Sequence, residues 1–426
     1  MLFVNDVCKS SRTSPIEPNE APGFYDWSIV AACFGLTLTL GEAFWSFGVF
    51  FVPLQQEFGW SRAVVSSFFT AFLLGYAVSV VVSGRIADRY NPKPVLFVSA
   101  FLVGIGLCLC GFANNVHHLR LFIFVVGLGS GATWSIPNSI VQRWFHRKKQ
   151  AGLALGIVVS GVGVGALIFA PLNNYLILNW GWRSTFLAIG VLFSGVIVAS
   201  TLAIKRCPPN TLRSAPKGDC GSLFERAMPH LNKSQITSWT FAATVFMLSA
   251  GVFSFQIVST HMVAHASDLG ISPSAAAAAL GFMGALSIPG RMVSGILSTK
   301  LGWNKLLSFA YFGIGVSIVW LWLLSGDWML HCFALSYGVF HGVRIAGGIG
   351  VLGEIFGLQS LGELIGVSTA VAQIVGAFAP YAAGAIFDAT GSYSLVFFLV
   401  CISSAAAGVV AALLKRIGAS YGASTT

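Results

Sequence analysis

The sequence predicts an all-α membrane protein of twelve transmembrane helices in two six-helix halves, and three observations carry that expectation. Hydrophobic residues make up 56% of the 426 positions and charged ones only 9%, where a water-soluble domain holds roughly 25% charged. The apolar residues gather into about twelve runs, each near the roughly 20 residues that a bilayer-spanning helix needs. The third observation is a weak internal repeat. Glu57-Phe-Gly-Trp-Ser61 returns as Asp268-Leu-Gly-Ile-Ser272, and Gly84-x3-Asp88-Arg89 as Gly295-x3-Thr299-Lys300, both at an offset of 211 residues. Gly181-Trp-Arg-x2-Phe186 returns as Gly391-Ser-Tyr-x3-Phe397 at 210 to 211. Agreeing offsets near half the chain length argue for two copies of one unit.

The runs fall at 27–53, 62–83, 95–114, 119–143, 151–178, 184–204, 237–265, 273–298, 304–325, 328–353, 362–387 and 393–414. Residues 1–25 mix Pro, Ser, Glu and Asn without an apolar core and read as a polar tail rather than a cleaved signal peptide. The first half is expected over 26–205, a polar linker over 206–236, the second half over 237–416 and a short tail over 417–426. Of the 24 Lys and Arg, Arg62, Arg120 and Arg183 alone fall at one set of helix ends, Arg291 and Arg344 lie inside runs, and the other nineteen share the opposite set with both tails. That bias expects an integral multi-pass protein of a cell or inner membrane with both termini cytoplasmic. The same clustering at run ends explains the net charge of +10 without nucleic acid. Five of eight cysteines lie in apolar runs, while Cys207 and Cys220 share a polar loop with no CxxC pair. Free thiols and no zinc are expected.

Arg291 is the only charge between Pro273 and Ser298. A central arginine costs roughly 2.5 to 3.5 kcal/mol even on lenient insertion scales. Two readings follow: the guanidinium faces a wet cavity and meets an anion, or it belongs to an internal ion pair. Arg344 raises the same alternatives. It lies about 18 Å from the basic end of its helix and Arg291 about 13 Å from its own, at 1.5 Å per residue. Together they flank one cavity for a larger or doubly charged anion, or they pair with acids such as Glu354 or Glu42. Glu42, the only acid in the first run, is a candidate proton carrier or counter-ion. His261 and His265 share a helix face, but no Glu sits between them and no third ligand is near, so polar histidines lining a pathway are the better account. His261 and His341 are proton-relay candidates. Trp134, Phe255, Gln256, Tyr337 and Gln373 are candidate lining residues beside their ordinary packing role. Gly161-Val-Gly-Val-Gly165 lacks the Lys-Ser/Thr of a phosphate loop and reads as close helix packing. No nucleotide motif and no cofactor are expected.

With Gly84-Arg-Ile-Ala-Asp88-Arg89 after the second run, the chain resembles the major facilitator superfamily. Asn91 and Pro92 replace the usual glycine and first basic residue of that loop, and Lys93 remains. Gly84 permits close helix approach, and Asp88 with Arg89 forms a candidate latch at the cytoplasmic face. Gly48-Val-Phe-Phe51, Gly181-Trp-Arg-x2-Phe186, Asp268-Leu-Gly270, Glu354-Ile-Phe-Gly357 and Gly376-x3-Pro380-x3-Gly384-x2-Phe387-Asp388-x-Thr390-Gly391-Ser-Tyr393 are similar to its monocarboxylate-transporter and oxalate:formate-antiporter branch. The resemblance implies that Arg291 holds a substrate carboxylate and that His261 lies near the substrate. It also marks departures: Ser287 stands where animal monocarboxylate transporters carry an Asp, Trp45 where they carry a Lys, and Ser368 to Phe387 lacks the lysine of the oxalate antiporters.

The expected function is secondary active transport, not enzymatic catalysis. The cargo is a small organic anion, a mono- or dicarboxylate, moved by alternating access, with a proton or counter-anion as coupling species. Alternatives are a neutral or aromatic nutrient carrier, a drug efflux protein or, remotely, a membrane-embedded metal enzyme.

Overall fold

The computed structural model of the chain describes residues 22–89, 91–145, 150–204, 238–356 and 361–424, with the backbone alone at 85, 87–89, 143, 151, 361–366 and 415–424. The linker over 206–236, Cys207, Cys220 and the side chains of Asp88 and Arg89 therefore lie outside the described residues. The helices are α1 (Phe24–Trp45), α2 (Phe47–Phe58), α3 (Arg62–Arg89), α4 (Pro92–Gly111), α5 (Val116–Ser130), α6 (Ala132–Trp144) and α7 (Ala151–Ala203). They continue as α8 (Trp239–Asp268), α9 (Pro273–Leu301), α10 (Trp303–Trp322), α11 (Asp327–Phe356), α12 (Leu361–Ala377), α13 (Ala379–Thr390) and α14 (Ser394–Ser424).

Eleven helical stretches among the described residues are long and apolar enough to cross a bilayer. One of them, Gly152–Ala203, runs for 52 residues, more than twice what one crossing takes. It divides at Gly181, whose φ of 76° and ψ of 161° leave the helical region, so the chain crosses twelve times. Three other crossings are interrupted: at Ser46 between α1 and α2, at Gly131 between α5 and α6, and at Phe378 between α12 and α13. An even count puts the start of α1 and the end of α14 at one end of the bundle, the base; the opposite end is the crown.

Local chemistry sets the helix ends. Asn91, Asn115, Ser238 and Ser272 each accept a hydrogen bond from a backbone N–H of the first turn they precede, satisfying donors that the helix itself leaves open. The repeat has a backbone cause. Gly59 and Gly270 hold φ at 64° and 79°, and Gly181 and Gly391 at 76° and 69°, so each copy turns at the crown through glycines in a region closed to most side chains.

Side chains on the bundle's outside suit lipid. Phe101, Val191, Val316 and Ile296 are between 62% and 71% exposed, a surface that water would not tolerate over this extent. Inside, the first six crossings pack on one another, the last six do likewise, and the two sets meet along α3 with α12 and α13, α2 with α8, and α7 with α9. The glycine run of α7 makes two of these contacts at once. A Cβ at Gly161 or Gly165 would lie 2.2 Å from Thr37 Oγ1 or the Leu38 carbonyl of α1, and one at Gly163 would lie 2.6 Å from the Gly284 carbonyl of α9. Only a bare backbone fits on both sides.

At the crown, Glu57 accepts hydrogen bonds from Trp182 Nε1 and pairs with Arg183, tying the end of α2 to the turn at Gly181. Partial burial pushes the Glu57 carboxyl upward, but the bonds from Arg183 and Trp182 outweigh it and hold the group below the usual carboxylate range. A carboxyl so lowered stabilises the fold above its unfolded pKa of roughly 4.3 and loses that contribution as the pH falls through its folded value. Glu57→Gln is accordingly expected to unfold at a lower temperature than the parent at pH 7, with the gap closing below about pH 4. Thermal unfolding of both proteins in detergent across that range checks it.

Candidate functional site

Two sets of polar groups lie on the boundary between the first six and the last six crossings. The crown set is built on Arg62, the first residue of α3. A cation at a helix N-terminus opposes the helix dipole, and the structure supplies anions against it. Its Nη2 donates to Asp268 Oδ1 at 2.6 Å and its Nη1 to Tyr393 Oη at 2.8 Å, and its Cζ stands 3.7 Å from the centre of the Phe387 ring. Asp388 of α13 accepts the backbone N–H groups of Arg62 and Ala63 at 2.9 and 2.8 Å. A side chain of the last six crossings thus caps a helix of the first six. Gly384, one turn earlier on α13, makes the approach possible, because a Cβ there would lie 2.7 Å from the Arg62 and Ala63 backbone.

His261 belongs to this crown set. Its Nδ1 is 2.8 Å from Tyr393 Oη, and its Nε2 is 2.9 Å from the Pro380 carbonyl and 3.2 Å from Ser66 Oγ of α3. His265, one turn on, places Nε2 3.2 Å from the Leu321 carbonyl and its ring edge-on to Tyr393 and Phe397.

The central set lies deeper. Arg291 of α9 donates from Nη2 to Ser287 Oγ at 3.3 Å and from Nη1 to the Val159 carbonyl of α7 at 3.4 Å, while its Nε has no partner. Among the described residues this is the contact nearest the base that bonds the two sets of crossings; the others, from Arg62, Ala63, Ser66 and Asn174, lie toward the crown. α11 is held at the same depth, since a Cβ on Gly342 would lie 2.1 Å from the Ser287 carbonyl and 3.0 Å from the Arg291 nitrogen. Arg344, on that helix, is buried. Its guanidinium rests over Gly251 of α8 with the Tyr311 hydroxyl alongside, and its Nη2 is 3.5 Å from His341 Nδ1. Its Nε also lacks a partner.

No carboxylate pairs with either guanidinium among the described residues. The acids named as counter-ions are engaged elsewhere: Glu354 accepts from the Trp303 backbone N–H at 3.3 Å. Glu42 is buried inside the first six crossings, where Asn173 Nδ2 donates to it at 3.2 Å, and it borders an apolar pocket with Phe47, Phe69, Phe72 and Leu107. His341 joins the arginines to an aromatic layer, its ring centre 4.6 Å from Phe255, 5.6 Å from Trp45 and 6.0 Å from Tyr337, whose hydroxyl meets Ser254 at 3.0 Å. Gln373 of α12 leaves its Oε1 buried and unpartnered, and Trp134 is half-buried in α6. Gly84 faces Ser135 of α6, with room for a Cβ at 3.8 Å.

The structure therefore brings together Arg291, Arg344, His341 and Tyr337, puts His261 in the crown set, and keeps Glu42 apart from both. Arg62, Asp268, Asp388 and Tyr393 were not singled out as site residues by the sequence. The available signal was a cation opening a helix at the end poor in positive charge, opposite the two acids of the repeated turns.

Two apposed six-helix sets with polar and charged groups enclosed between them are the architecture of a membrane carrier. Residues 29–338 match the family described as the Major Facilitator Superfamily, and the chain belongs to that family. Among curated proteins it is similar to "Monocarboxylate transporter 13" of Rattus norvegicus, 26% identical over 91% of this chain and 87% of that one. It is likewise 26% identical to "Monocarboxylate transporter 12" of Homo sapiens over 96% and 84%, and 27% identical to "MFS-type transporter 1" of Ophiocordyceps sp. (strain BCC 1869) over 87% and 81%. Among solved structures it shares its fold with a bacterial homolog to the human lysosomal transporter Spinster in an inward-facing and unoccupied conformation, with a TM-score of 0.68, 18% identity, and coverage of 94% of this chain and 96% of that one.

Proposed function

We propose that this transporter moves a small organic anion, a mono- or dicarboxylate, by alternating access, and that Arg291 anchors the carboxylate with Arg344 as a second cation at the same depth. The observation that carries the reading is the pair of guanidiniums without a carboxylate partner among the described residues, each with a buried Nε left open. A guanidinium with its Nε buried and no carboxylate opposite it is stabilised by an anion that completes it, and a carboxylate suits its forked donors. The names of the relatives agree with that chemistry. The base corresponds to the cytoplasmic side in this reading, from the distribution of Lys and Arg. The crown bonds then close the outer face and leave Arg291 to be reached from the cytoplasm.

Rocking of the two sets about the centre would break the crown bonds and close the base, where Gly84, Asp88 and Arg89 serve as the latch. Coupling to a proton is assigned to Glu42, whose buried carboxyl depends on a single Asn173 amide, with His341 and His261 as relay groups in the two polar sets. The test is counterflow in proteoliposomes with mono- and dicarboxylates, with and without a pH gradient. Carboxylates should drive exchange, and acid on the outer side should accelerate net uptake. Exchange driven only by neutral compounds would refute the anion assignment.

A further inference from the structure

Glu42 differs from the acids of the crown in the partner it has. Glu57 meets Arg183 and Asp268 meets Arg62, cations that suit a permanently ionised carboxylate. Glu42 meets a carboxamide. It is 6% exposed, and Asn173 Nδ2 donates to its Oε1 at 3.2 Å. Asn173 is fully buried, and its Oδ1 has no hydrogen-bond partner.

Burying a carbonyl oxygen without a partner is unfavourable, and a donor alone would have served an ionised Glu42. The open oxygen gains a partner in one state of its neighbour. An ionised carboxyl only accepts hydrogen bonds, whereas a protonated one carries an O–H donor beside its carbonyl oxygen. A carboxamide matches both forms. Against the carboxylate it makes the single N–H bond seen here. Against the acid it closes a ring of two bonds, with Nδ2–H donating to Oε1 and Oε2–H donating to Oδ1.

Among the described residues no other ionisable side chain bonds this carboxyl. The pocket that Glu42 borders is walled by Phe47 of α2, Phe69 of α3, Leu107 of α4, Val126 of α5 and Phe186 of α7. Ionisable groups on the surrounding helices are turned elsewhere: Tyr76 of α3 meets Phe44, His341 of α11 meets Trp45, His261 of α8 meets Tyr393, and Arg291 of α9 reaches Val159.

We propose that Glu42 and Asn173 together form the proton site of this carrier, an acid and amide pair that holds the proton on Oε2 against Asn173 Oδ1, inside the first six crossings and apart from Arg291 and Arg344. Asn173 is the positioning residue, since it keeps a partner for the carboxyl before and after the proton arrives. The proposal rests on the coupling reading above.

The test is difference infrared spectroscopy of the protein in proteoliposomes between alkaline and acid pH. The parent should gain a protonated-carboxyl C=O band that Glu42→Gln lacks, and in Asn173→Leu that band should move to higher frequency, because the N–H bond to the acid is gone. A second measurement does not require Asn173→Leu to fold. The amide of Glu42→Gln makes both bonds at every pH, so this variant should unfold at a higher temperature than the parent at alkaline pH, and the gap should close as the pH falls and the parent gains its own second bond. A carboxyl band retained in full in Glu42→Gln, a band unmoved in Asn173→Leu, or no stability gap at alkaline pH overturns the pair. Acceleration of uptake by acid is read separately. Its loss in Glu42→Gln supports the pair as the coupling site, while the expected spectra without acceleration in the parent uphold the pair as a proton site and overturn the coupling reading.

Discussion

Arg291→Ala is expected to lose transport by at least about a hundredfold while remaining folded, and to unfold at the same or a higher temperature than the parent. Removing one partner of a desolvated, hydrogen-bonded ion pair costs about 2–5 kcal/mol, and each 1.4 kcal/mol is tenfold in affinity. In the empty protein the sign for stability is reversed. The guanidinium there has two long hydrogen bonds, to Ser287 and Val159, an open Nε and a second arginine nearby, so truncation removes a half-buried charge that no carboxylate among the described residues neutralises. A structural ion pair behaves in the opposite way, with stability falling on truncation. Arg291→Lys should retain the charge but lose the fork and recover little of the uptake. Uptake kinetics together with thermal unfolding in detergent separate the cases, and parental uptake in Arg291→Ala would refute the anchor.

The second large effect is expected at Asp388. Its carboxylate accepts two backbone N–H groups of α3, and hydrogen bonds to a charged group contribute about 1.5–3 kcal/mol each. Asp388→Ala should therefore shift the protein toward a crown-open state by more than about tenfold. Ser66, buried in the closed crown, reports it. In a Ser66→Cys background, a membrane-impermeant maleimide should label Asp388→Ala at least about tenfold faster than the parent. Transport should slow as well, because a carrier held open on one side cannot complete its cycle. Equal labelling would mean that Asp268 and Tyr393 hold the crown without Asp388.

The fold was legible because its determinants are local or repeated. Apolar run lengths counted the crossings, and the repeated turns holding Gly59 with Gly270 and Gly181 with Gly391 exposed the duplication. The lone charge of Arg291 was visible for the same reason, since one arginine in an apolar run needs no partner to be noticed. Pairings across the boundary were not legible. Arg62 and Asp388 are separated by 326 positions, and nothing local to either says that one caps the helix of the other. The same distance in sequence hid the placement of His261, whose spacing puts it on a pathway-facing helix but whose partners, Tyr393, Pro380 and Ser66, come from three other segments. Glu42 was readable as a buried acid, while its orientation toward Asn173 follows from how α1 packs on α7.

The glycines of α7 carry a mechanical consequence. Gly161 and Gly165 seat α7 flush on α1 of its own body, and at Gly163 the joint with α9 is shallow, with the Gly284 backbone close and the Ile288 side chain lying over the glycine. A joint of interdigitated leucines would click between discrete notches, each needing side chains to leave one hole and enter another. A smooth bearing has no preferred angle of its own. In the proposed rocking motion the tilt is then set largely at the rims, where the bonds of Asp388 act with the full leverage of the bundle's height.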